Sequence, residues 1–364
     1  MNPSTSSRDL GLDAAKGILI SGIVLGHNYF FSRYSSAGIA FLYTFHVASF
    51  LLIPFLFRYD RMSGSAYRAR LFRILVPQVA FLLATIPLYY EMFFVHRPGG
   101  EGEWVDSLPL ALLLQTETQL EMVTGFRHFW FLPAMAVTIS LLWFFDNART
   151  RASVVLVAVL SIWHLAAGEV DNALFQYFPW STAIVSFLFV PGIFIRLLNT
   201  GFRARFRTIQ AGVDLMLFGA WLFLAWVVLH YRFFMPLAGD PYQLVSGLDE
   251  PWRLVFQDVF LLVSFFAVLR LGWWLRETVL VRIGRESLKI FLISPLVWQV
   301  FWMAGGKHLE AGTAVGRPAL VTVTFFGTLV VSYGLARLIT ATPLQAVVFP
   351  KSFADWRKLR LRRV

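Results

Sequence analysis

The chain has 364 residues, 57% hydrophobic, 17% aromatic and only 15% charged, which is more apolar surface than one water-soluble core could bury. The net charge of +11 falls in short clusters between apolar runs, the distribution of basic loops beside a membrane, which argues against a nucleic-acid partner. The absence of cysteine excludes disulfides, thiolate nucleophiles and cysteine-type metal sites.

A spanning helix needs about 20 mostly apolar residues. By that measure about ten runs span: Ala15 to Phe31, Ile39 to Phe57, Leu71 to Val95, Phe126 to Phe145, Ala152 to Ala167, Trp180 to Leu198, Ala211 to Phe234, Val255 to Leu275, Glu286 to Ala304 and Pro318 to Ile339. The runs lack the period-two alternation of a membrane barrel, so the expected fold is all-α, a polytopic transmembrane helix bundle. The first run has no A-x-A cleavage site and reads as a retained span rather than a signal peptide.

Orientation follows from the loops. Arg58, Arg61, Arg68, Arg70 and Arg73 lie in the second connection or at its end, Arg149 and Arg151 in the fourth, Arg203, Arg205 and Arg207 in the sixth, and Arg276, Arg282 and Arg285 in the eighth. The opposite connections carry Glu101, Glu103 and Asp106, then Glu169 and Asp171, then Asp240, Asp249 and Glu250. Both termini are therefore expected in the cytoplasm. The segment from His96 to Gly125 is expected outside, along the interface or as part of a lid. Residues 343–364 mix aromatic and basic residues and read as a basic amphipathic cytoplasmic tail on the anionic inner leaflet. With no internal repeat and no linker, residues 1–364 form one domain.

The first span holds both ends of a candidate site. Lys16 and His27 have ten residues between them, about 16 Å of helical rise, and three turns bring them to nearly one face. Titratable groups inside a span are costly and are kept there by a partner or a task. One helix thus presents a cation near the cytoplasmic surface and an imidazole deep in the membrane. That spacing suits a long substrate with an anionic head and a reactive tail, the form of acyl-coenzyme A. Asp13, one turn before Lys16, is placed to pair with it. His46, His128, His164 and His230 also fall in the outer half of their spans, and His96 and His308 in outer loops. For each the alternative is a helix-bridging hydrogen bond.

These residues carry a resemblance. Leu12-Asp13-Ala14-Ala15-Lys16-Gly17-Ile18 followed by Val24-Leu25-Gly26-His27 resembles the opening helix of the membrane-bound acyltransferase-3 family, whose signature is a basic residue, ten others and a histidine. Phe45-His46 with Phe55-Leu56-Phe57 resembles the family's second helix, and Tyr67 to Pro77 its basic run into the third. His128-Phe129-Trp130-Phe131-Leu132 resembles its fourth-helix aromatic motif and Ile283-Gly284-Arg285-Glu286-Ser287-Leu288 its late glycine-arginine motif. Lys16 stands where arginine is more usual, as in the sugar 4-O-acetylase-like branch, and Ser294 precedes Pro295 where histidine is common.

The resemblance implies a bacterial inner-membrane, multi-pass O-acyltransferase. It would move an acyl group, acetyl first among the options, from cytoplasmic acyl-coenzyme A to a sugar hydroxyl. The acceptor would be a cell-surface or exopolysaccharide glycan, on a lipid-linked oligosaccharide or beside the polysaccharide-synthesis machinery. His27 is then the base or acyl carrier, with His46 and His128 orienting or oxyanion-stabilising groups. Lys16, Arg68, Arg70 and Arg73 would hold coenzyme A phosphates, the alternative being ordinary membrane anchoring; among the three arginines Arg73 lies deepest. No metal-ligand spacing is present and none is expected. The alternatives are succinyl transfer by the same architecture, for which Arg127 is the available extra cation, and a transporter or flippase for a sugar or lipid-linked glycan.

Overall fold

The computed structural model describes residues 9–43, 45–57, 59, 62–93, 120, 123–124, 127–148, 150–166, 188–205, 211–231, 250–303 and 316–350. Among these residues there is no β-strand. The helices are α1 (Leu10–Gly26), α2 (Tyr29–Tyr34), α3 (Ser36–Tyr43), α4 (His46–Leu52), α5 (Gly64–Phe93), α6 (Phe131–Asn147) and α7 (Thr150–Ala166). They continue with α8 (Phe189–Arg205), α9 (Ala211–Tyr231), α10 (Glu250–Trp274), α11 (Val279–Arg285), α12 (Ser287–Met303), α13 (Arg317–Ala341) and α14 (Leu344–Val348). Among the described residues four segments are long and apolar enough to cross a membrane: Ala37–Leu56, Gly64–Pro87, Gly212–His230 and Arg317–Ala341. The outer faces are apolar, with Leu215, Met216, Leu222, Phe223, Val323 and Val330 all well exposed, as lipid-facing helices require. The fold is an all-α membrane helix bundle.

α1 is its axis. Asp9 caps the first turn by accepting from the Leu12 N–H at 3.0 Å. The helix is then buried on nearly all sides, through Gly11, Asp13, Ala14, Ala15, Gly17, Leu19, Ile20, Ile23, Val24 and Gly26. Its small residues let neighbouring backbones touch it, the usual packing device where lipid removes any hydrophobic drive between helices. A Cβ on Gly272 of α10 would lie 2.5 Å from the Gly11 carbonyl oxygen. One on Gly284 of α11 would meet the Asp13 carbonyl, and one on Gly17 the Leu280 carbonyl. On another side, Gly22 and Gly26 admit α4: ideal Cβ positions there lie 3.5 Å from the His46 Cβ and ring Nε2 respectively.

Two runs expected as single spans are broken. The first ends its helix at Gly26 and restarts at Tyr29. The second divides into α3, α4 and a 3-10 turn at Ile53–Leu56 that begins around Pro54. Between α3 and α4, Phe45 leaves helical geometry at φ −138°. The His46 ring Nδ1 donates to the Leu42 carbonyl, the acceptor its own backbone N–H would use in an unbroken helix. By contrast Pro77, Pro87 and Pro295 sit inside continuous helices. Phe126 to Phe145 begins as a 3-10 turn, Arg127–Trp130, before α6. Most of His96 to Gly125, together with His308 and residues 351–364, lies outside the described residues.

One helix is held to the bundle by polar contacts. α9 is mostly exposed, yet Asp214 and Arg270 form a buried pair between α9 and α10, Nε to Oδ1 at 2.6 Å and Nη2 to Oδ2 at 2.8 Å. Higher along α9, the Trp221 Nε1–H donates to Ser264 Oγ at 2.9 Å. A bidentate pair satisfies both charges internally, the condition for leaving them out of water.

Candidate active site

The break in α1 builds the site. His27 is the C-cap: its backbone N–H donates to the Ile23 carbonyl at 3.0 Å, and its ring Nδ1 donates to the same oxygen at 2.8 Å. A carbonyl can only accept, so Nδ1 carries the hydrogen and the neutral ring keeps its lone pair on Nε2. Asn28 follows at once. Its Oδ1 caps α2 by accepting from the N–H groups of Phe30 at 3.0 Å and Phe31 at 3.2 Å. Its Nδ2 donates to Thr324 Oγ1 at 2.8 Å and to the Val321 carbonyl at 3.4 Å. The turn that carries His27 is thereby fixed to α13, 296 residues further along the chain.

Asn28→Ala removes both the cap and the buried bond to Thr324. It is expected to cost about 2 kcal/mol of stability, with Thr324→Val costing about half of that because the cap is kept and what goes is the Asn28 contact together with the hydroxyl's own bond to the Leu320 carbonyl at 2.7 Å. Thermal unfolding in detergent checks the ratio. Equal losses from the two variants would show that the cap contributes nothing.

His46 stands across α1 from this turn. It is fully buried, and the two imidazoles lie near enough to interact electrostatically. Tyr43 packs edge-on against its ring at 5.1 Å. Its Nδ1–H is committed to Leu42, so Nε2 is again the acceptor, and among the described residues that atom has no hydrogen-bond partner. Two imidazoles therefore converge at the broken end of α1, each with its tautomer set by a carbonyl four residues earlier.

The other end of α1 is charged. The buried Asp13 carboxylate lies 3.8 Å from Lys16 Nζ and 3.4 Å from Arg285 Nε. The carboxylate holds two cations at one helix end, where α11 crosses. Beside them Glu286 accepts from Lys289 at 2.7 Å and from Thr340 at 3.4 Å, with Arg337 at 3.7 Å.

A second basic cluster follows α4. Asp146 accepts from the Tyr59 N–H at 2.6 Å and from Arg196 Nη2. Arg70 lies over the Tyr59 ring at 5.0 Å and over Phe57 at 5.6 Å. Burial pushes the Tyr59 hydroxyl above its ordinary pKa, while Arg70 and Arg196 act in the opposite sense.

Of the residues singled out from sequence, the structure brings His27 and His46 together, and Lys16 with Asp13. It half-buries Arg70 and leaves Arg68 and Arg73 exposed, so the deepest arginine by sequence is not the one packed inward. His128 is in the 3-10 turn before α6, its side chain outside the described residues, as are the side chains of Arg127 and His164. His230 is exposed and stacks on Trp226 at 5.1 Å. Sequence reasoning passed over Asn28, Asp146, Arg196, Asp214 and Arg270. For Asp214 and Arg270 a signal existed: each is one of only two Asp, Glu, Lys or Arg residues in its apolar run, beside Arg232 and Asp258 respectively.

Over residues 9–337 the sequence matches the acyltransferase-domain model of the acyltransferase-3 family. No curated protein and no solved structure matches. The match runs from the cap of α1 to the last turns of α13, through the turn at His27, the His46 segment and the α11 crossing, and the chain belongs to the acyltransferase-3 family of membrane acyltransferases.

Proposed function

We propose that this acyltransferase moves an acyl group, acetyl in the first instance, from cytoplasmic acyl-coenzyme A to a hydroxyl of a bacterial cell-surface or exopolysaccharide sugar, free or lipid-linked. The observation that carries the reading is His27 at the break in α1, its Nδ1–H fixed on Ile23 and its Nε2 thereby the basic atom. About 16 Å back along the same helix, Lys16 and Arg285 supply positive charge around Asp13. A coenzyme A nucleotide at that end, with its pantetheine arm laid along α1, would bring the thioester to the imidazoles.

In the reaction His27 Nε2 takes the proton of the sugar hydroxyl as the oxygen attacks the thioester carbonyl. The C–S bond breaks, and the coenzyme A sulfur leaves with the proton held by the imidazolium. The products are the sugar ester and free coenzyme A thiol. His46 is the second group at this point, placed to orient the hydroxyl. Both termini lie in the cytoplasm in this reading, so donor and acceptor enter from opposite ends of α1.

The test is direct. Purified protein in nanodiscs, given acetyl-coenzyme A and an oligosaccharide from the host polymer, should release thiol only when the sugar is present. Mass spectrometry should find one acetyl ester per thiol released. If no thiol is released with any hydroxyl acceptor, while the reconstituted protein carries a sugar or lipid-linked glycan across the bilayer, the transferase reading falls to the transporter one. A succinyl ester instead of an acetyl ester would keep the architecture and change the donor.

A further inference from the structure

On α4, three residues after His46, lies a buried polar residue that neither motif nor composition marks. Ser49 is 0% exposed, and among the described residues its Oγ has no hydrogen-bond partner. Serine and threonine hydroxyls in helices commonly return to a carbonyl one turn back, as those of the buried Thr138 and the half-buried Ser140 do here, to Ala134 at 2.9 Å and Ala136 at 2.8 Å. Ser49 does not. It sits three residues after His46 in α4, so the two side chains share a face about 4.5 Å apart along the helix axis. Their two unpartnered atoms are complementary: His46 Nε2 only accepts in the neutral ring, whereas a serine hydroxyl both donates and accepts. Polar atoms shut away from water without partners are unfavourable; others occur in the bundle, Ser332 Oγ among them, but these two are complementary and share one face of α4, which points to a ligand that supplies the partner.

The ligand follows from chemistry and spacing. α4 begins at the level of the α1 break, against Gly22 and Gly26, and runs back into the bundle beside α1. Ser49 is therefore one turn further from the break than His46, on the side from which a donor entering along α1 would arrive. In acyl-coenzyme A the thioester sulfur is separated by two methylenes from the nitrogen of the first pantetheine amide, about 4 Å at ordinary bond lengths. That interval is close to the axial step of about 4.5 Å from His46 to Ser49.

We propose that Ser49 is a donor-recognition residue: its hydroxyl pairs with the pantetheine amide nearest the sulfur and so holds the thioester at the level of His27 and His46. The proposal rests on the acyl-coenzyme A reading above and adds the contact that sets the depth of the donor. An amide group also occurs in N-acetylated sugars, so the test must separate donor from acceptor.

The experiment compares wild type, Ser49→Ala and Ser49→Thr as full chains in nanodiscs. The donors are acetyl-coenzyme A and an acetyl-coenzyme A analogue whose thiol-proximal amide is replaced by two methylenes. Ser49→Ala should raise KM for acetyl-coenzyme A about tenfold with kcat within twofold, the loss of one hydrogen bond to a neutral partner. With the analogue the same substitution should change KM less than twofold, because the partner is gone. Ser49→Thr keeps the hydroxyl and should retain most of the affinity. Because the removed hydroxyl has no partner among the described residues, Ser49→Ala should also unfold at or above the wild-type temperature, which a structural hydroxyl would not allow.

Equal KM losses with both donors, no change with acetyl-coenzyme A, or an effect confined to the KM of an N-acetylated acceptor would each overturn the assignment. Calorimetry with coenzyme A alone separates this proposal from the reaction it rests on. Tight binding weakened about tenfold by Ser49→Ala, in a protein that transfers nothing, would sink the transferase reading and keep the subsite. Transfer with unaltered binding would do the reverse.

Discussion

His27→Ala is expected to lower acyl transfer by about a thousandfold, the contribution of a well-placed general base, while leaving the protein folded and inserted. The two halves of this expectation have separate grounds. In the proposed reaction the base is the ring, whose Nδ1–H is held by the Ile23 carbonyl at 2.8 Å so that Nε2 is the atom to receive a proton. Folding depends little on it, because the turn is made by backbone and by Asn28. The His27 N–H still reaches Ile23, and the Asn28 side chain still caps α2 and grips Thr324. Loss of the ring bond costs about 1 kcal/mol, too little to unfold a bundle of this size.

The measurement is ester on the glycan and thiol release by purified protein, set beside the elution profile and unfolding temperature of the same sample. Activity within tenfold of wild type would remove His27 from the chemistry. His46→Ala makes the comparison sharper. If His46 only orients, its loss should fall mainly on kcat and leave a measurable rate, whereas a second base would make the two variants equally inactive.

How much of this was legible in the sequence varies by residue, for physical reasons. Asp13, Lys16 and His27 stand out because charge and imidazole are rare in an apolar run, and helical periodicity alone aligns Lys16 with His27. The break after His27 was not legible. Asparagine is tolerated within helices, and what makes Asn28 a cap is Thr324, nearly three hundred residues away, which no local pattern announces. His46 reads as an outer-half histidine, but its approach to α1 depends on Gly22 and Gly26 having no side chain, a fact of the crossing rather than of either helix. Arg73 was favoured over Arg70 because it lies deeper in the run. A helix turns about 300° over three residues, and it is the Arg70 face that meets Tyr59 and Phe57. Asp214 and Arg270 stand out as charges within apolar runs, yet their pairing runs between helices and sequence spacing says nothing of it.

Gly284→Ala is the substitution expected to damage the fold most, although it adds a single methyl to a helix and improves helix propensity. The new Cβ would fall on the Asp13 carbonyl oxygen, 2.8 Å from its carbon and 2.8 Å from the Gly17 nitrogen. The reciprocal contact is as tight, since a Cβ at Gly17 would strike the Leu280 carbonyl. All of these are backbone atoms that cannot rotate away, so α11 would have to separate from α1, and with it the Arg285 contact to Asp13 at 3.4 Å. Overpacking of this kind costs about 3 kcal/mol or more, a large share of the stability of an ordinary domain. Gly284→Ala is therefore expected to leave little monodisperse protein in detergent, and any that survives should show a raised KM for acyl-coenzyme A before a lowered kcat, because the first thing displaced is the cation cluster around Asp13. Gly219→Ala in α9 and Gly327→Ala in α13 are the controls. Nothing lies within 4 Å of a Cβ at either position, and both should be neutral or stabilised by up to about 1 kcal/mol. Should Gly284→Ala elute and melt like those two, the close crossing of α1 and α11 is wrong, and with it the placement of Lys16 and Arg285 on one carboxylate.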